Sequence, residues 1–406
     1  MNQGKPLSGI RVVELTTFVA APICGRMLGE LGANVVKIEN ISGDPWRYAG
    51  SSMGMTMEKH ENPCFDFYNT GKEDIALNLK TSAGMEVFFK LLESADIFIT
   101  NTRLASLRKL GIDYASLSER FPELIYGMIT GYGDQGPDAA KPGFDNVAFW
   151  CVPGYMSDMS YLENPYPVMP ATGVGDSVTG GSLLSGLLAA LYARERTGRG
   201  DCVTVSLLNN ALWVMSGMIM PAQRKYGHTF PYSRFAALPF AAAYRCSDGE
   251  RLMVSIVDIP KQLKPFYEAI GRPDLLDDPL LGTSENAIRH RRELFEILDP
   301  IFASRPSEEW LEILQSRDIV CSKMGHFSEA TENEQAWAND YLEHHAFRNG
   351  ESCVFPTCPV RLNSIGPVKS ESAPLCGEHT RSILERMGYS PCEIDALIHT
   401  GVVKQY

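Results

Sequence analysis

The chain has 406 residues, 44% hydrophobic and 21% charged, with a formal net charge of -12 and a pI near 5.2. This length exceeds what one hydrophobic core usually holds, so we expect a multidomain globular enzyme rather than a fibrous or disordered chain. The acidic charge argues against nucleic acid as a partner, because a phosphate backbone demands a basic surface.

The N-terminus has no targeting signal that we recognise. Residues 1–10 (MNQGKPLSGI) place no charged segment ahead of an apolar stretch of signal-peptide length. No apolar run approaches the length needed to span a bilayer, so we expect a cytoplasmic protein with no membrane partner. The ten cysteines form no CxxC pair and the eight histidines no HxxxH pair, so no metal site is predicted.

The first forty residues have the pattern of a βαβ unit, with strands at 9–15 and 34–39 around a helix at 20–31. A crossover helix makes the two strands parallel. Further strands are predicted at 75–79, 96–100 and 124–130, separated by helices such as 84–95. This alternation predicts an α/β fold with a doubly wound sheet.

The middle of the chain continues this pattern and then changes character. A helix is predicted over 176–196, followed by a strand at 202–205 and a helix over 207–220. Residues 221–239 contain three prolines, several aromatic residues and little periodicity, which indicates a domain boundary. A smaller α+β unit is expected after it, and periodicity leaves open where the long tail packs.

Residues 131–136 (GYGDQG) match the GxGxxG pattern of dinucleotide-binding loops and follow a predicted strand. Pro137 and Pro142 prevent the helix on whose N-terminus a phosphate would lie. Glu39 stands where a ribose-binding acid would be, but residues 16–21 lack the glycines of that motif. We therefore predict a loop at 131–136 and no nicotinamide or flavin cofactor.

Residues 173–181 (GVGDSVTGG) place glycines on both sides of Asp176 at the start of a predicted helix. Glycine lets a ligand approach the backbone closely, and exposed amides at a helix start favour anions. Two interpretations stay open: Asp176 is the N-cap of the helix, or it is a functional carboxylate. No GxSxG motif occurs, so a hydrolase serine is not indicated.

Several cations follow predicted strands. Singly, each is typical of a solvated surface charge, and together they could hold the phosphates of a nucleotide-like ligand. They are Lys37, Arg47, Lys72, Arg103, Lys109 and Lys141.

Blocks along nearly the whole chain resemble the family III CoA-transferases. These blocks are residues 7–15 (LSGIRVVEL), 31–39 (LGANVVKIE), 43–47 (GDPWR), 95–101 (ADIFITN), 132–137 (YGDQGP) and 197–201 (TGRGD). A narrower resemblance is to the transferases of anaerobic amino-acid fermentation, which act on aryl or branched-chain 2-hydroxy acids and 2-enoyl-CoA. It is carried by residues 143–145 (GFD), 205–207 (VSL) and 335–342 (QAWANDYL).

The resemblance implies a Rossmann-like large domain built from both chain ends and a smaller α+β domain. The large domain would comprise residues 1–225 with the returning segment 328–406, and the smaller domain residues 226–327. It also implies a homodimer of two interlocked rings. Coenzyme A would be a substrate and product, with no tightly bound cofactor.

Carried over by position, the resemblance implies Asp176 as the covalent nucleophile. The implied CoA contacts are Phe18, Val19, Ala20, Lys72, Asn101, Arg103, Lys109 and Lys141. The sequence differs from formyl-CoA transferase at two places, one near the adenine end of CoA and one near the acyl end. Asn40 replaces an arginine on the adenine side, and residues 232–243 lack the glycine-rich loop that covers the active site.

The implied reaction moves CoA from a 2-enoyl-CoA to an acid such as (R)-phenyllactate or (R)-2-hydroxyisocaproate. It would pass through an aspartyl anhydride and an aspartyl-CoA thioester, with backbone amides at 175–177 or 18–20 stabilising the oxyanion. Aromatic and methionine side chains could line the acyl pocket or be ordinary core. They are Phe149, Trp150, Tyr155, Met156, Trp213 and Met215.

Other activities stay open on the same fold. An α-methylacyl-CoA racemase would use a histidine and an aspartate, but the nearest histidine before Asp176 is His60. A carnitine or bile-acid CoA-transferase would differ only in its acyl group. A non-catalytic CoA-binding protein would use Asp176 as a helix cap alone.

Overall fold

The computed structural model describes residues 4–55, 58, 60–164, 166–363, 365–366 and 368–406. The chain divides into two compact units. The first comprises Met1–Tyr155, Met169–Pro221 and Glu334–Tyr406, and the second comprises Met156–Val168 and Ala222–Asn333.

Strands and helices alternate through the first part of the described chain. The strands are β1 Arg11–Leu15, β2 Asn34–Glu39, β3 Glu73–Leu77, β4 Ile97–Thr100, β5 Ile125–Thr130, β6 Cys202–Ser206, β7 Ala241–Arg245, β8 Arg251–Ser255, β9 Cys321–Lys323, β10 Leu342–Ala346, β11 Ser352–Pro356 and β12 Val403–Lys404. The helices are α1 Ala20–Glu30, α2 Ala49–Ser52, α3 Pro63–Asn69, α4 Ser82–Leu92, α5 Leu104–Leu110, α6 Tyr114–Arg120, α7 Tyr155–Asp158, α8 Val174–Thr197, α9 Leu207–Val214, α10 Ser216–Ala222, α11 Ile259–Ala269, α12 Ser284–Arg289, α13 Arg291–Phe302, α14 Ser307–Gln315, α15 Glu334–Ala338, α16 Thr380–Arg386 and α17 Pro391–His399. Short 3₁₀ turns cover Pro45–Tyr48, Arg234–Ala236, Pro273–Leu276 and Phe327–Glu332, and Asp145–Cys151 is a π-helical segment.

The first unit is built on a seven-stranded sheet with the order β12-β3-β2-β1-β4-β5-β6. All neighbouring strands are parallel except β12, which runs antiparallel to β3. The predicted α/β fold is thereby confirmed, and the five strands predicted before residue 131 all form, with bounds shifted by at most two residues. The loop at 131–136 is also found without a helix.

Helices cover both faces of this sheet because successive strand residues point to opposite sides. Val12 and Ile97 pack in one core with α1 and α8. Their neighbours Val13 and Phe98 pack in another core with α4, α16 and α17. The C-terminal segment thus contributes both helices and an edge strand to the sheet that the N-terminal segment begins.

Helix α8 is long and apolar enough, by length and composition, to cross a membrane. The prediction that no apolar run approaches this length is therefore wrong for this segment. In the structure α8 is a core helix: Leu183, Leu184 and Leu187 are buried with strand residues of the sheet. Gly127 of β5 makes this approach possible, since a Cβ there would lie 3.1 Å from Leu187 Cδ2.

The second unit contains an antiparallel sheet of order β7-β8-β9 and helices α11 to α14. Its core includes the buried side chains of Phe266, Phe295 and Trp310. The segment Met156–Val168 lies with this unit, where the amide of Leu162 donates to the carbonyl of Tyr232 at 3.1 Å. Nothing in the sequence pattern separates that segment from the first unit.

Candidate active site

A cleft of about 450 Å³ lies in the first unit, where β1, β4 and β5 end. The chain moves outward from β1 to β3 on one side and from β4 to β6 on the other, so β1 and β4 form a topological switch point. Ligands of open α/β sheets bind at the carboxyl ends of strands beside such a point. Six of the nine predicted site residues line this cleft: Phe18, Ala20, Asn101, Arg103, Lys141 and Asp176.

Asp176 lies in the first turn of α8. The N-cap is Gly173, with φ of 85°, and its amide donates to the carboxylate of Asp145 at 2.8 Å. The interpretation of Asp176 as the N-cap is therefore wrong, because Asp145 satisfies the helix start and leaves Asp176 in the cleft. Gly175 permits this packing, since a Cβ there would lie 2.2 Å from Asp145 Oδ1.

The two carboxylates shape the electrostatics at this helix start. Burial, with a smaller contribution from the negative charge of Asp145, raises the pKa of Asp176 to about 7. Burial also raises the pKa of Asp145, while the amide of Gly173 acts in the opposite direction. A carboxylate that loses solvation in this way is a more reactive base or nucleophile than one in water, and such shifts are common at functional sites.

The loop after β1 is held from two sides. Asn101 accepts from the amide of Thr17 at 3.0 Å and donates to the carbonyl of Thr17 at 2.7 Å. Asp44 accepts from the amide of Phe18 at 3.2 Å, and Phe18 has a positive φ of 63°. The buried Lys37 ammonium lies 3.1 Å from Asp44. Sequence reasoning missed Asp44, although it lies in the block at residues 43–47.

Helix α1 begins in the cleft beside Asp176. Ala20 lines the cleft, whereas the side chain of Val19 is buried and does not. Helices α1 and α8 approach closely here, since a Cβ on Gly180 would lie 2.6 Å from the carbonyl oxygen of Ala20. In the part of the chain that the structure describes, no side chain caps α1, so the amides of its first turn have no side-chain acceptor.

Lys72 lies away from the cleft, although the resemblance implied that it contacts CoA. Its buried ammonium lies 2.8 Å from Glu14, 2.8 Å from the carbonyl of Pro22 and 3.0 Å from the amide oxygen of Asn69. Burial lowers the pKa of Lys72 to about 8, against the attraction of Glu14. Lys72 therefore joins β1, α1 and α3 inside the unit, because its side chain points inward from the start of β3.

A second cavity of about 750 Å³ adjoins the cleft and shares Thr102 and Ser106 with it. Lys109, Lys80 and Asn40 line this second cavity. Among the residues that the structure describes, Arg103, Lys109 and Lys80 form no ion pair. Lys141 pairs with Asp138 at 2.6 Å, and its side chain is 62% exposed. Accessible positive charge therefore extends from the cleft into the second cavity.

Aromatic side chains form a chain of edge-to-face contacts beside the cleft. Phe144 contacts Phe18 with ring centroids 5.3 Å apart, and Phe18 contacts Trp46 at 6.2 Å. Trp46 in turn contacts Tyr68 at 6.2 Å. Sequence reasoning missed Phe144, Trp46 and Tyr68, because their proximity depends on the meeting of three separate loops and helices.

The aromatic residues considered for an acyl pocket lie elsewhere. Phe149 and Tyr155 are buried in a small core with Leu207, and Trp150 and Met215 pack against it. Trp213 is 81% exposed, and Met156 belongs to the second unit. None of these six side chains lines the cleft. Four of them, Phe149, Trp150, Tyr155 and Met215, have a packing role in the core instead.

Among the residues that the structure describes, no histidine lines the cleft. His60 lines a different cavity, together with Arg47 and Arg348. A proton exchange between a histidine and Asp176, as in a racemase, has no support in this arrangement.

Comparisons with known proteins identify the family. A family model described as CoA-transferase family III matches residues 7–380. The chain is 36% identical over 399 residues to (R)-2-hydroxy-4-methylpentanoate CoA-transferase of Clostridioides difficile, covering 98% of this chain and 99% of the relative. It is also 36% identical to cinnamoyl-CoA:phenyllactate CoA-transferase of Clostridium sporogenes, covering 98% and 97%.

The fold agrees with these similarities. The crystal structure of Rv3272 from M. tuberculosis matches with a TM-score of 0.81 at 26% identity, covering 93% of this chain and 99% of that one. The match of the family model, the two relatives and the shared fold lead to one conclusion: this chain belongs to CoA-transferase family III.

Proposed function

We propose that this enzyme transfers CoA from a 2-enoyl-CoA to a free (R)-2-hydroxy acid, with Asp176 as the covalent nucleophile. The observation that carries the proposal is the carboxylate of Asp176 in a cleft that also contains Arg103 and Lys141. The substrate class comes from the relatives, one named for (R)-2-hydroxy-4-methylpentanoate and one for cinnamoyl-CoA and phenyllactate. The acceptor is therefore proposed to carry a branched or aryl side chain.

The chemistry balances without a cofactor. The carboxylate of Asp176 attacks the thioester carbonyl carbon and forms a C–O bond. The C–S bond then breaks, which releases CoA as a thiolate and leaves a mixed anhydride between Asp176 and the acyl group. The thiolate then attacks the aspartyl carbonyl, the C–O bond breaks, and the donor acid leaves as a carboxylate. The incoming carboxylate attacks the aspartyl-CoA thioester, and the same steps run in reverse. Each step consumes one anion and releases one.

The accessible cations indicate where CoA would lie. Its thioester would reach Asp176 through the cleft, and its phosphates would pass Arg103 and Lys141 toward Lys109 in the second cavity. The strand order around the switch point is that of a Rossmann-like sheet, which supports the proposal that both chain ends form a CoA-binding domain. Asn40 would then lie near the nucleotide end.

The oxyanion of each tetrahedral intermediate requires hydrogen-bond donors. Three amides near Asp176 already have acceptors: Gly173 donates to Asp145, Phe18 to Asp44, and Thr17 to Asn101. The first turn of α1, which begins at Ala20 in the cleft and has no side-chain cap, is the backbone candidate that we favour. The alternative at residues 175–177 is less favoured because the carboxylate of Asp145 lies against that turn.

The proposal is tested by measuring transfer of CoA from an acyl-CoA to a free acid. Purified enzyme is incubated with cinnamoyl-CoA or isocaproyl-CoA and a panel of free acids, and new acyl-CoA species are measured by mass spectrometry. Asp176→Asn, which keeps the shape of the side chain, should abolish exchange. Asp277→Asn, an exposed aspartate of the second unit, is the matched control and should retain full activity.

Hydroxylamine added during turnover should convert Asp176 to a hydroxamate, which peptide mass spectrometry detects. Transfer that persists in Asp176→Asn would exclude this carboxylate as the nucleophile. Exchange with carnitine or a bile acid alone would change the substrate class. Solvent deuterium entering a 2-methylacyl-CoA, without exchange of acids, would replace the transferase proposal with a racemase.

A further inference from the structure

Tyr68 is a phenol fixed beside Asp176 for which the reaction steps above provide no role. It lies in the last turn of α3, and this helix is held at several points. The indole of Trp46 donates to the carbonyl of Cys64 at 2.8 Å, and the side chain of Asn62 caps the helix start. Asn69, at the helix end, bonds to the buried ammonium of Lys72. The Tyr68 ring therefore has a defined position.

The hydroxyl of Tyr68 points to the start of α8. It lies 3.3 Å from the position that a Cβ on Gly173 would occupy, and Gly173 is three residues before Asp176. Across the residues that the structure describes, this hydroxyl has no hydrogen-bond partner. A phenol that reaches a site without an internal acceptor is available to a ligand.

The phenol keeps its proton at physiological pH. Burial, together with the nearby charge of Asp176, raises the pKa of Tyr68 to about 12. Tyr68 is therefore a neutral donor throughout the range in which the enzyme would work. Its side chain does not line the cleft that contains Arg103 and Lys141, but its ring contacts Trp46, whose other neighbour Phe18 lines that cleft.

We propose, on the basis of the proposed function, that Tyr68 donates a hydrogen bond to the acyl carbonyl oxygen while Asp176 attacks the carbonyl carbon. As the tetrahedral intermediate forms, negative charge builds on this oxygen and the phenol stabilises it. When the C–S or C–O bond breaks, the carbonyl reforms and the proton stays on Tyr68. The phenol supplies a side-chain donor where few backbone amides remain without an acceptor.

The carbonyl oxygen fits this donor better than the 2-hydroxyl group does. The proposed reaction carries a 2-hydroxyacyl group in one half and a 2-enoyl group in the other, and only the carbonyl is common to both. If Tyr68 bound only the 2-hydroxyl group, the 2-enoyl group would leave its buried hydroxyl without a partner. A site of that kind discriminates strongly against a substrate that lacks the hydroxyl group. Tyr68 therefore serves both halves of the exchange.

The test compares Tyr68→Phe with wild-type enzyme in both directions of transfer. The variant should lose about a hundredfold to a thousandfold in kcat, equally for 2-hydroxy acid and 2-enoate, with KM nearly unchanged. Its melting temperature should stay close to that of wild type. Tyr48→Phe removes a hydroxyl from a tyrosine that is 68% exposed, and it is the matched control with unchanged kcat.

Other outcomes overturn the proposal. An unchanged kcat would show that Tyr68 has no part in the reaction. A loss confined to the 2-hydroxy acid, seen mainly in KM, would assign Tyr68 to the 2-hydroxyl group instead. A displaced pH profile with the same maximal rate would make it a residue that tunes Asp176. Absence of exchange in wild-type enzyme would contradict the proposed function itself and is therefore distinguishable from failure at Tyr68.

Discussion

At the scale of single residues, neighbouring side chains set the environment of the Asp176 carboxylate. Asp145 occupies the helix start that Asp176 would otherwise cap, and the pair lie close enough for the charge of Asp145 to act on Asp176. Glycine at 175 is required because a side chain there would overlap both Asp145 and Phe149. Asp176 therefore does not cap α8, and its carboxylate is largely removed from solvent.

This environment predicts a pH dependence. The proposed nucleophile is the ionised form of Asp176, and burial raises the pKa of this carboxyl to about 7. The value of kcat/KM for acyl-CoA should therefore fall about tenfold per pH unit below that pKa. Above about pH 8 the profile should be level. Initial rates between about pH 5 and about pH 9 measure this, and a flat profile through neutral pH would contradict it.

The same shift affects stability with a defined sign. Because the pKa of Asp176 is higher in the folded state than in the unfolded state, the native state binds the proton more tightly. The protonated carboxyl therefore contributes its full share to the free energy of unfolding below the unfolded-state pKa. This stabilisation is lost as the pH rises through about 7. Asp176→Asn should therefore become more stable relative to wild type as the pH rises to neutrality. Melting temperatures measured alongside the rates check this sign.

At the scale of elements, the loop after β1 depends on a buried ion pair. Lys37 lies inside β2, and its ammonium contacts Asp44 at 3.1 Å and the carbonyl of Thr16 at 3.0 Å. Burial lowers the pKa of Lys37, but Asp44 and Glu14 outweigh that effect, so the group stays charged. The pair links the end of β2 to the loop that begins α1.

Asp44→Asn should destabilise the protein by about 3 kcal/mol, because the buried ammonium of Lys37 loses its nearer carboxylate and keeps only Glu14, 3.7 Å away. The Phe18 amide would then donate to a neutral amide oxygen in place of a carboxylate, and this weaker anchoring of the loop should raise KM for acyl-CoA. Urea unfolding followed by circular dichroism, with steady-state kinetics, measures both effects. Asp277→Asn, at an exposed position, is the control. A variant as stable as wild type would show that the pair has little energetic weight.

At the scale of the whole molecule, apolar side chains remain exposed on α9 and α10. Trp213 is 81% exposed, Val214 50% and Met220 53%. Exposed apolar groups that are close in sequence on neighbouring helices are typical of a protein interface. We propose that they lie against a second copy of this chain, in the homodimer that the family resemblance implies.

Trp213→Glu should disrupt that assembly, because it places a charge where an aromatic side chain would be buried. Sedimentation velocity should then report a smaller species than wild type at the same concentration. Tyr192→Glu, at a tyrosine 68% exposed on the core helix α8, tests whether any charged substitution has this effect. A monomeric wild-type protein would contradict the proposal directly.

The sequence by itself determined the alternation of strands and helices, the family and the loop at 131–136. These follow from local periodicity, prolines and short motifs, which act over a few residues. It also singled out Asp176, through the glycines around it. The sequence could not show that Lys72 turns inward, since a lysine after a loop has the same pattern whether it meets solvent or Glu14.

Only the tertiary structure decided which distant residues share the site. Asp145 and Gly173 are 28 positions apart, and the hydroxyl of Tyr68 on α3 reaches Gly173 before the start of α8. The core role of Phe149 and the burial of the apolar helix α8 were likewise decided by packing. The physical reason is that burial and proximity depend on long-range contacts, which local patterns of residue type do not encode.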